Sequence, residues 1–268
     1  GGTIMKISIL NLIPRFIDET AKQSIERGLE LAKWADGQNF ERYWVAEHHN
    51  SKSISCSATD LIIGYILEHT QRIKVGAGGV MLPNHTPFQV AERYGTLETL
   101  YPERVDLGIG RAPGTDIETA KLIYRDTYKE DNFKEAIRTL LSYFEDEAEN
   151  FKVHPYPGVG THVPVYILGS SMTSAHIAAQ LGLPYSFAGH FSPNTVEVAL
   201  KIYREEFTPS KYLDKPYVML GVSANAAYDK DAAEHIKQQA ISIFLQIQNR
   251  NNRDAFLKAD PNNSPELT

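Results

Sequence analysis

Residues 73–110, IKVGAGGVMLPNHTPFQVAERYGTLETLYPERVDLGIG, carry the clearest indication of the fold. An apolar, glycine-containing run (73–82) opens this stretch, and a second apolar run (104–110) closes it. Both runs are typical of buried β-strands, and polar or glycine-rich residues follow each of them. The stretch therefore predicts two strands joined by a long connection, as in a β/α fold.

The same alternation continues along the chain. Amphipathic segments separate the β-rich runs, and within residues 20–38 the side chains of Ile25, Leu29, Ala32 and Trp34 have roughly the spacing of one buried helical face. This alternation predicts a parallel sheet covered by helices. The predicted strands are 6–12, 42–47, 73–82, 104–110, 163–170, 184–189 and 217–224.

The ends of the predicted strands distinguish two folds that share this pattern, an open doubly wound sheet and a closed barrel. Polar or glycine-rich residues follow nearly every predicted strand, and in a barrel the carboxyl ends of the strands carry the active site. We therefore predict the α/β class, and within it a (β/α)8 TIM barrel that forms one domain over residues 5–268.

Composition limits the kinds of partner. The chain has 268 residues and a formal charge of −6, with its charges well mixed, so it offers no basic stripe for nucleic acid and no polybasic membrane patch. A single cysteine, Cys56, excludes an internal disulfide framework, fits a reducing compartment and is expected to be a buried small residue. No signal peptide or membrane-spanning run is indicated, so we expect a cytoplasmic protein. Residues 1–4 are interpreted as an added leader before Met5.

The longest connection between predicted strands is 111–162. Its second part is a plausible barrel helix, whereas its first part has mixed charges and no clear apolar stripe. Long connections in compact domains are commonly functional covers. We therefore predict a mobile cover of the active site over residues 112–130.

The segment YWVAEHHN (43–50) places an acidic residue and two histidines directly after a predicted strand. Strand alternation puts Trp44, Ala46 and His48 on one side, and Glu47 and His49 on the other, so only one histidine faces the barrel interior. Zinc needs three convergent ligands, and no metal site is predicted. Two alternatives stay open: a histidine that is merely packed near the strand end, and a metal-dependent hydrolase that uses His48 and Glu47.

Three further features indicate a ligand with a flat ring and an anionic group. Glycines in the strand 73–82 suggest close approach of a flat ligand, or else a bulge or close packing. Arg111 follows the next strand and could bind a phosphate, or form a surface salt bridge. The residues Gly169, Ser170 and Ser171 precede an alanine-rich helix, whose start could bind an anion or simply be capped by serine.

Taken together and in this order, these segments resemble the bacterial luciferase-like flavin monooxygenase family, in particular its shorter group 1 oxidoreductases. The resemblance implies a (β/α)8 barrel that binds reduced FMN delivered by a separate flavin reductase, activates O2 and oxygenates a small organic substrate. Two alternatives to this reaction stay open. Some relatives use a deazaflavin, so the protein could be a deazaflavin-dependent oxidoreductase, or it could bind a flavin without turnover. We also expect a homodimer. The matching segments are 43–50, 76–116, 163–191 and 213–227.

The resemblance also assigns roles to residues. It implies that His48 lies beside the flavin and takes part in the oxygen chemistry, and that a non-prolyl cis peptide joins Gly78 and Gly79 where the ring rests. It implies contacts with the flavin phosphate for Arg111 and for the Gly169, Ser170 and Ser171 turn.

Two departures from the family pattern concern a single residue and the length of the chain. Gly110 stands where luciferases have a cysteine, which argues against light emission. Family members continue with one more strand and helix, so we expect the last β/α unit to be missing from this chain and the exposed sheet edge to be covered by a partner or a tail.

Overall fold

A parallel, nearly closed barrel forms the body of the computed structural model. The structure describes residues 6–112, 114–123, 132–146, 151–188, 193–221, 230–231 and 234. Within these residues the seven strands pair in sequence order, each with the next, and every pairing is parallel. The strands are β1 (Ser8–Leu10), β2 (Arg42–Val45), β3 (Lys74–Met81), β4 (Val105–Gly110), β5 (Val165–Gly169), β6 (Tyr185–Ala188) and β7 (Val218–Gly221).

Helices alternate with these strands and pack on their outer side. The predicted helix in residues 20–38 and the predicted barrel helix in the second part of 111–162 are both present. The helices are α1 (Ala21–Gly37), α2 (Thr59–Glu68), α3 (Pro87–Leu100), α4 (Ile117–Ile123), α5 (Phe133–Tyr143), α6 (Met172–Leu181) and α7 (Pro193–Glu206), and a short 3-10 helix covers Leu82–Asn84. No helix of the described ranges is long and apolar enough to cross a membrane.

All seven predicted strands are confirmed, and so is the α/β barrel class. In the described part of the chain, β1 and β7 each pair with one neighbour only, so both are edges of the sheet. Leu10 on β1 and Leu220 on β7 are 55% and 52% exposed.

Helix α1 shows one wrong expectation about burial. A capping box of Thr20 and Gln23 starts the helix, and its buried face includes Gly28 and Ala32. Trp34, which was expected on that face, is 53% exposed and contacts Phe40 instead. The reason is geometric, since Trp34 lies two residues beyond Ala32 and therefore about 200° around the helix.

The two faces of the barrel wall have different surroundings. Outward-facing strand residues pack against the helices, as shown by the Tyr43 hydroxyl, which donates to the Gly28 carbonyl at 2.9 Å. Inward-facing residues near the amino ends of the strands are partly charged: Arg42 lies 3.3 Å from Asp106, and the Trp44 indole N–H donates to Asp106 at 2.9 Å. These polar groups close the amino end of the barrel.

Candidate functional site

The carboxyl ends of β2 to β5 meet at one end of the barrel. Met81 pairs with Gly110 across β3 and β4, and Ile109 pairs with Ile167 across β4 and β5. Arg111 and Gly169 each lie two residues beyond the last of these β4–β5 pairs. The strand order therefore brings the predicted site residues to a single end of the barrel: His48, Gly78, Gly79, Arg111, Gly169, Ser170 and Ser171.

His48 lies three residues beyond the end of β2, and strand alternation predicts that it faces the interior. Trp44 on the same side of the chain contacts Asp106 inside the barrel, as the predicted alternation requires. The His48 ring is partly buried, and its Nδ1 lies 3.4 Å from the Ala46 carbonyl oxygen. Burial lowers the pKa of His48, while the Ala46 carbonyl and the Glu47 carboxylate oppose this shift. The imidazole is therefore neutral near pH 7 and able to accept a proton.

Glu47 has the opposite surroundings. It is 2% exposed and points away from the barrel interior, towards the segment that follows β3. Burial raises its pKa, but hydrogen bonds from His49, His85 and Asn84 outweigh this effect and lower the pKa to about 2. The carboxylate is therefore ionised at neutral pH.

Four donors surround the Glu47 carboxylate. His85 Nε2 and the Met81 N–H lie 2.6 and 3.2 Å from Oε1, and His49 Nε2 and Asn84 Nδ2 both lie 2.7 Å from Oε2. An ionised carboxylate only accepts hydrogen bonds, so both histidines carry their proton on Nε2. With two donors on each oxygen, Glu47 has little capacity left to act as a base or to bind a metal.

The backbone at residues 47–49 joins three separate segments. The Glu47 N–H donates to the Gly79 carbonyl at 3.1 Å, the His48 N–H to the Cys56 carbonyl at 3.0 Å, and the His49 N–H to the Gly114 carbonyl at 3.1 Å. Cys56 itself is fully buried, as predicted, and burial raises the pKa of its thiol to about 12. The position of the His48 backbone thus depends on the ends of β3 and β4 as well as on β2.

Close packing accounts for much of the glycine-rich wall. A Cβ at Gly78 would lie 2.6 Å from Trp44 Cε3, and one at Gly79 would lie 2.7 Å from the Gly108 carbonyl oxygen. The strand register also shifts between Gly78 and Val80. The predicted cis peptide between Gly78 and Gly79 is present. The bulge and close-packing alternative is therefore supported, while approach of a flat ligand stays a prediction.

The Met81 side chain lies beside Gly110, the residue at which the sequence departs from the luciferase pattern. A Cβ at Gly110 would lie 2.6 Å from Met81 Cε, so the thioether end of Met81 occupies the space beside this glycine. Arg111, which follows Gly110, is partly buried just after the end of β4. Its contact with a phosphate stays a prediction.

The start of α6 shows serine capping together with exposed polar groups. Ser171 is the N-cap, and its hydroxyl accepts from the Ser174 N–H at 3.3 Å. Ser170 and Ser171 are both exposed. The first N–H groups of a helix lack intrahelical acceptors, so this end remains suited to an anion. The capping alternative is confirmed, and the anion site stays a prediction.

The predicted cover lies only partly within the described residues, since 113 and 124–130 fall outside them. Its first part is fastened to the segment after β2: Thr115 Oγ1 donates to the His49 carbonyl at 3.1 Å, and Asn50 Nδ2 donates to Asp116 at 2.9 Å. The Asn50 hydrogen bond and the Thr119 N–H lower the pKa of Asp116. Covering of the active site by residues 112–130 stays a prediction.

Sequence reasoning missed three residues that surround Glu47, namely Met81, Asn84 and His85. The signal was present, because Asn84 and His85 are polar residues that shortly follow the glycine-rich strand. A cavity of about 260 Å³ borders this cluster between the sheet and helices α2 and α3, and Asp60, Arg93 and Tyr94 also line it. Among the described residues, no group of three or more His, Cys, Asp or Glu side chains could hold a metal ion.

A parallel α/β barrel with polar residues gathered at the carboxyl ends of its strands defines a class of enzyme-like barrels. Within that class, the chain belongs to the luciferase-like monooxygenase family, whose model matches residues 5–264. It is therefore a member of a family of oxidoreductases.

Individual proteins agree with this membership. The chain is 48% identical over 246 residues to the uncharacterized protein YddN of Bacillus subtilis, with 91% of this chain and 73% of YddN covered. It is 43% identical over 241 residues to a luciferase-like monooxygenase of Escherichia coli K12, with 90% and 72% covered. The crystal structure of apo-MsnO8 has a TM-score of 0.86 at 31% identity, with 94% of this chain and 75% of that chain covered.

Two more distant structures share the fold and contain different cofactors. The oxygenating constituent of 3,6-diketocamphane monooxygenase from Pseudomonas putida, in complex with FMN, has a TM-score of 0.69 at 16% identity, with 97% of this chain and 81% of that chain covered. An F420-dependent secondary alcohol dehydrogenase has a TM-score of 0.64 at 17% identity, with 96% and 78% covered. At these identities the likeness concerns the fold alone.

Proposed function

We propose that this protein is a flavin-dependent monooxygenase that uses reduced FMN and O2 to oxygenate a small organic substrate. One observation carries the proposal. A neutral imidazole (His48), a glycine pair in the wall (Gly78–Gly79), a cation (Arg111) and the exposed start of α6 share the carboxyl end of the barrel. Family membership supports the same reaction class.

The residues at this end fit the two chemical parts of FMN. The phosphate is dianionic, and Arg111 together with the start of α6 would hold it through charge and oriented N–H groups. The ring is flat, and family membership would rest it against the wall at Gly78–Gly79, beside the Trp44 side chain that packs on Gly78. When bound, reduced FMN supplies the electrons with which O2 is activated.

The remaining chemistry belongs to the chain. His48, with its lowered pKa, would hold or release a proton at its imidazole beside the reacting atoms. Glu47 is unsuited to that role because four donors already occupy its oxygens. A separate flavin reductase would supply reduced FMN, and a homodimer is the proposed assembly.

A deazaflavin-dependent oxidoreductase is the second candidate. The likeness in fold to the F420-dependent dehydrogenase keeps it open, although that likeness is at 17% identity. The higher identity to a luciferase-like monooxygenase, 43%, favours the first candidate. A flavin-binding protein without turnover would share the same cofactor contacts.

Anaerobic titration of the protein with reduced FMN and with reduced deazaflavin, followed by exposure to ¹⁸O2 and a panel of small aldehydes, ketones and alkanes, separates these candidates. We expect saturable binding of reduced FMN and one ¹⁸O atom in a product, detected by mass spectrometry. Binding without labelled product in the panel would favour the protein without turnover, and preference for the deazaflavin would favour the second candidate.

Arg111→Ala tests the phosphate contact. Loss of a hydrogen bond to a charged group should weaken reduced-FMN binding by about 1.5–3 kcal/mol. The control is Arg138→Ala, because Arg138 lies exposed on α5 and pairs with Glu135. Equal affinities for the Arg111 variant and the parent would contradict the assignment.

A further inference from the structure

The Glu47 carboxylate links segments that are separate in the chain. Its two oxygens accept hydrogen bonds from three residues outside its own segment. The donors are the backbone N–H of Met81 at the end of β3, the side chain of Asn84 in the 3-10 helix and the side chain of His85 before α3. Its remaining donor, His49, lies two residues further along its own segment. One buried side chain thus ties the end of β2 to the whole stretch from Met81 to His85.

This tie has consequences for the two groups that flank Glu47. On one side, its own N–H bonds to the Gly79 carbonyl, which belongs to the proposed flavin platform. On the other side lies His48, whose N–H donates to the Cys56 carbonyl. The N–H of the following residue, His49, donates to the Gly114 carbonyl. Glu47 therefore lies between the proposed proton-handling imidazole and the wall against which the flavin ring would rest.

We propose that Glu47, clasped by His49 and His85, is a positioning residue that fixes His48 relative to Gly78–Gly79. Glu47 does not touch the reacting atoms and acts only through the geometry of its neighbours. Displacements of about 1 Å from productive geometry cost on the order of 10²-fold in rate, so the clasp matters for turnover. This inference rests on the proposed function, because it assigns His48 and the glycine wall to one site.

Glu47→Gln is the direct test. Glutamine has nearly the same shape but presents one NH₂ group, which faces donors where the carboxylate had an accepting oxygen. We expect the rate at which O2 reoxidises bound reduced FMN to change by about 10²-fold, and the affinity for reduced FMN to fall. Amide hydrogen exchange of peptides that contain residues 47–49 and 79–81 should accelerate in the protein without flavin.

Asp36→Asn is the matched control. Asp36 is also a carboxylate that pins a loop, since it accepts from the N–H groups of Gln71, Arg72 and Ile73, but it does so at the amino end of the barrel. Both substitutions should lower the unfolding temperature. Only Glu47→Gln should alter flavin affinity and reoxidation, whereas Asp36→Asn should leave both within about threefold of the parent.

His85→Ala keeps the test decisive if Glu47→Gln fails to fold. The His85 side chain is partly exposed, and its loss removes only one of the four donors to Glu47, so we expect the same changes in smaller measure. Flavin kinetics in either variant that match those of Asp36→Asn at equal folded concentration would overturn the positioning role. Absence of flavin binding in the parent protein would instead overturn the proposed function, and hydrogen exchange at residues 47–49 would still report on the clasp.

Discussion

His48 and Glu47 are adjacent in the chain, yet their surroundings give them opposite chemistry. Burial lowers the pKa of the His48 imidazole, whereas hydrogen bonds from His49, His85 and Asn84 lower the pKa of Glu47 to about 2 against the effect of its burial. One group is therefore neutral and the other charged near pH 7. The alternation of side chains after β2 separates a group that can exchange a proton from one that holds loops together.

His48→Ala should separate turnover from cofactor capture. Loss of a general acid or base lowers a rate by about 10²–10⁴-fold, while we expect reduced-FMN affinity to stay within about tenfold of the parent. Stopped-flow absorbance after mixing the reduced complex with O2 and substrate measures the first quantity, and anaerobic titration measures the second. His69→Ala is the control, since His69 lies at the end of α2 and bonds to the Tyr65 carbonyl. Parental turnover in His48→Ala would make the residue structural.

Glu47 should also appear in the acid stability of the protein. Its folded pKa of about 2 lies below its ordinary value of 4.5, so its contribution is present above pH 4.5 and is lost as the pH falls towards 2. One pKa unit corresponds to about 1.4 kcal/mol, which makes the contribution on the order of 3 kcal/mol. Urea unfolding at several pH values should show the difference between parent and Glu47→Gln shrinking over this range. A difference independent of pH would contradict the assignment.

At the scale of elements, the start of α6 combines two tasks that the sequence could not separate. Ser171 caps the helix through its bond with the Ser174 N–H, and Ser170 is exposed beside it. The sequence Gly169-Ser170-Ser171 predicts a helix start, but helix capping and anion binding use the same residues, so the sequence alone does not distinguish them.

Substitution of each serine should separate these tasks. Ser171→Ala should lower the free energy of unfolding by about 1 kcal/mol, the usual cost of losing an N-cap, whereas Ser170→Ala should leave it nearly unchanged. Both variants should bind reduced FMN more weakly if the turn holds the phosphate. Chemical denaturation and anaerobic titration supply the two measurements, and unchanged flavin affinity in both variants would confine the serines to capping.

The strands were more predictable than the contacts at their ends. Apolar runs and the polar residues after them indicate each strand from local sequence, and every predicted strand is present. The partners of Glu47 are different, because Asn84 and His85 lie 37 and 38 residues away and no periodicity links such positions. The Trp34 side chain is exposed because Trp34 lies about 200° around α1 from the buried Ala32, so its approximate spacing does not place it on the buried face.

At the scale of the whole molecule, a buried ion pair closes the amino end of the barrel. Arg42 and Asp106 lie 3.3 Å apart with side chains that are 6% and 2% exposed. Burial raises the pKa of Asp106 although Arg42 opposes this, so the carboxyl group can become neutral if its partner is lost. Arginine cannot discharge in the same way.

Removal of either partner should therefore have unequal effects. Asp106→Leu leaves the Arg42 charge without its main counter-ion and should cost about 3–5 kcal/mol of unfolding free energy, whereas Arg42→Met should cost less because Asp106 can take up a proton. The double variant should recover much of the loss. Guanidinium chloride unfolding of the three variants tests this order, and equal losses in both single variants would contradict it.

The three hydrogen bonds from residues 47–49 also bear on the order in which the protein can be assembled during synthesis. The bond from His49 reaches Gly114, and Thr115 and Asp116 bond to the same short segment. A ribosome that has released only β1 to β3 has therefore produced the Cys56 and Gly79 partners of this segment, but not yet its Gly114 partner. Contacts between residues this distant in sequence form late, because the chain between them must first be ordered. The carboxyl end of the barrel would then mature after its wall, and residues 47–49 of a nascent chain would gain their last backbone contact only after the fourth strand and the residues behind it had been made.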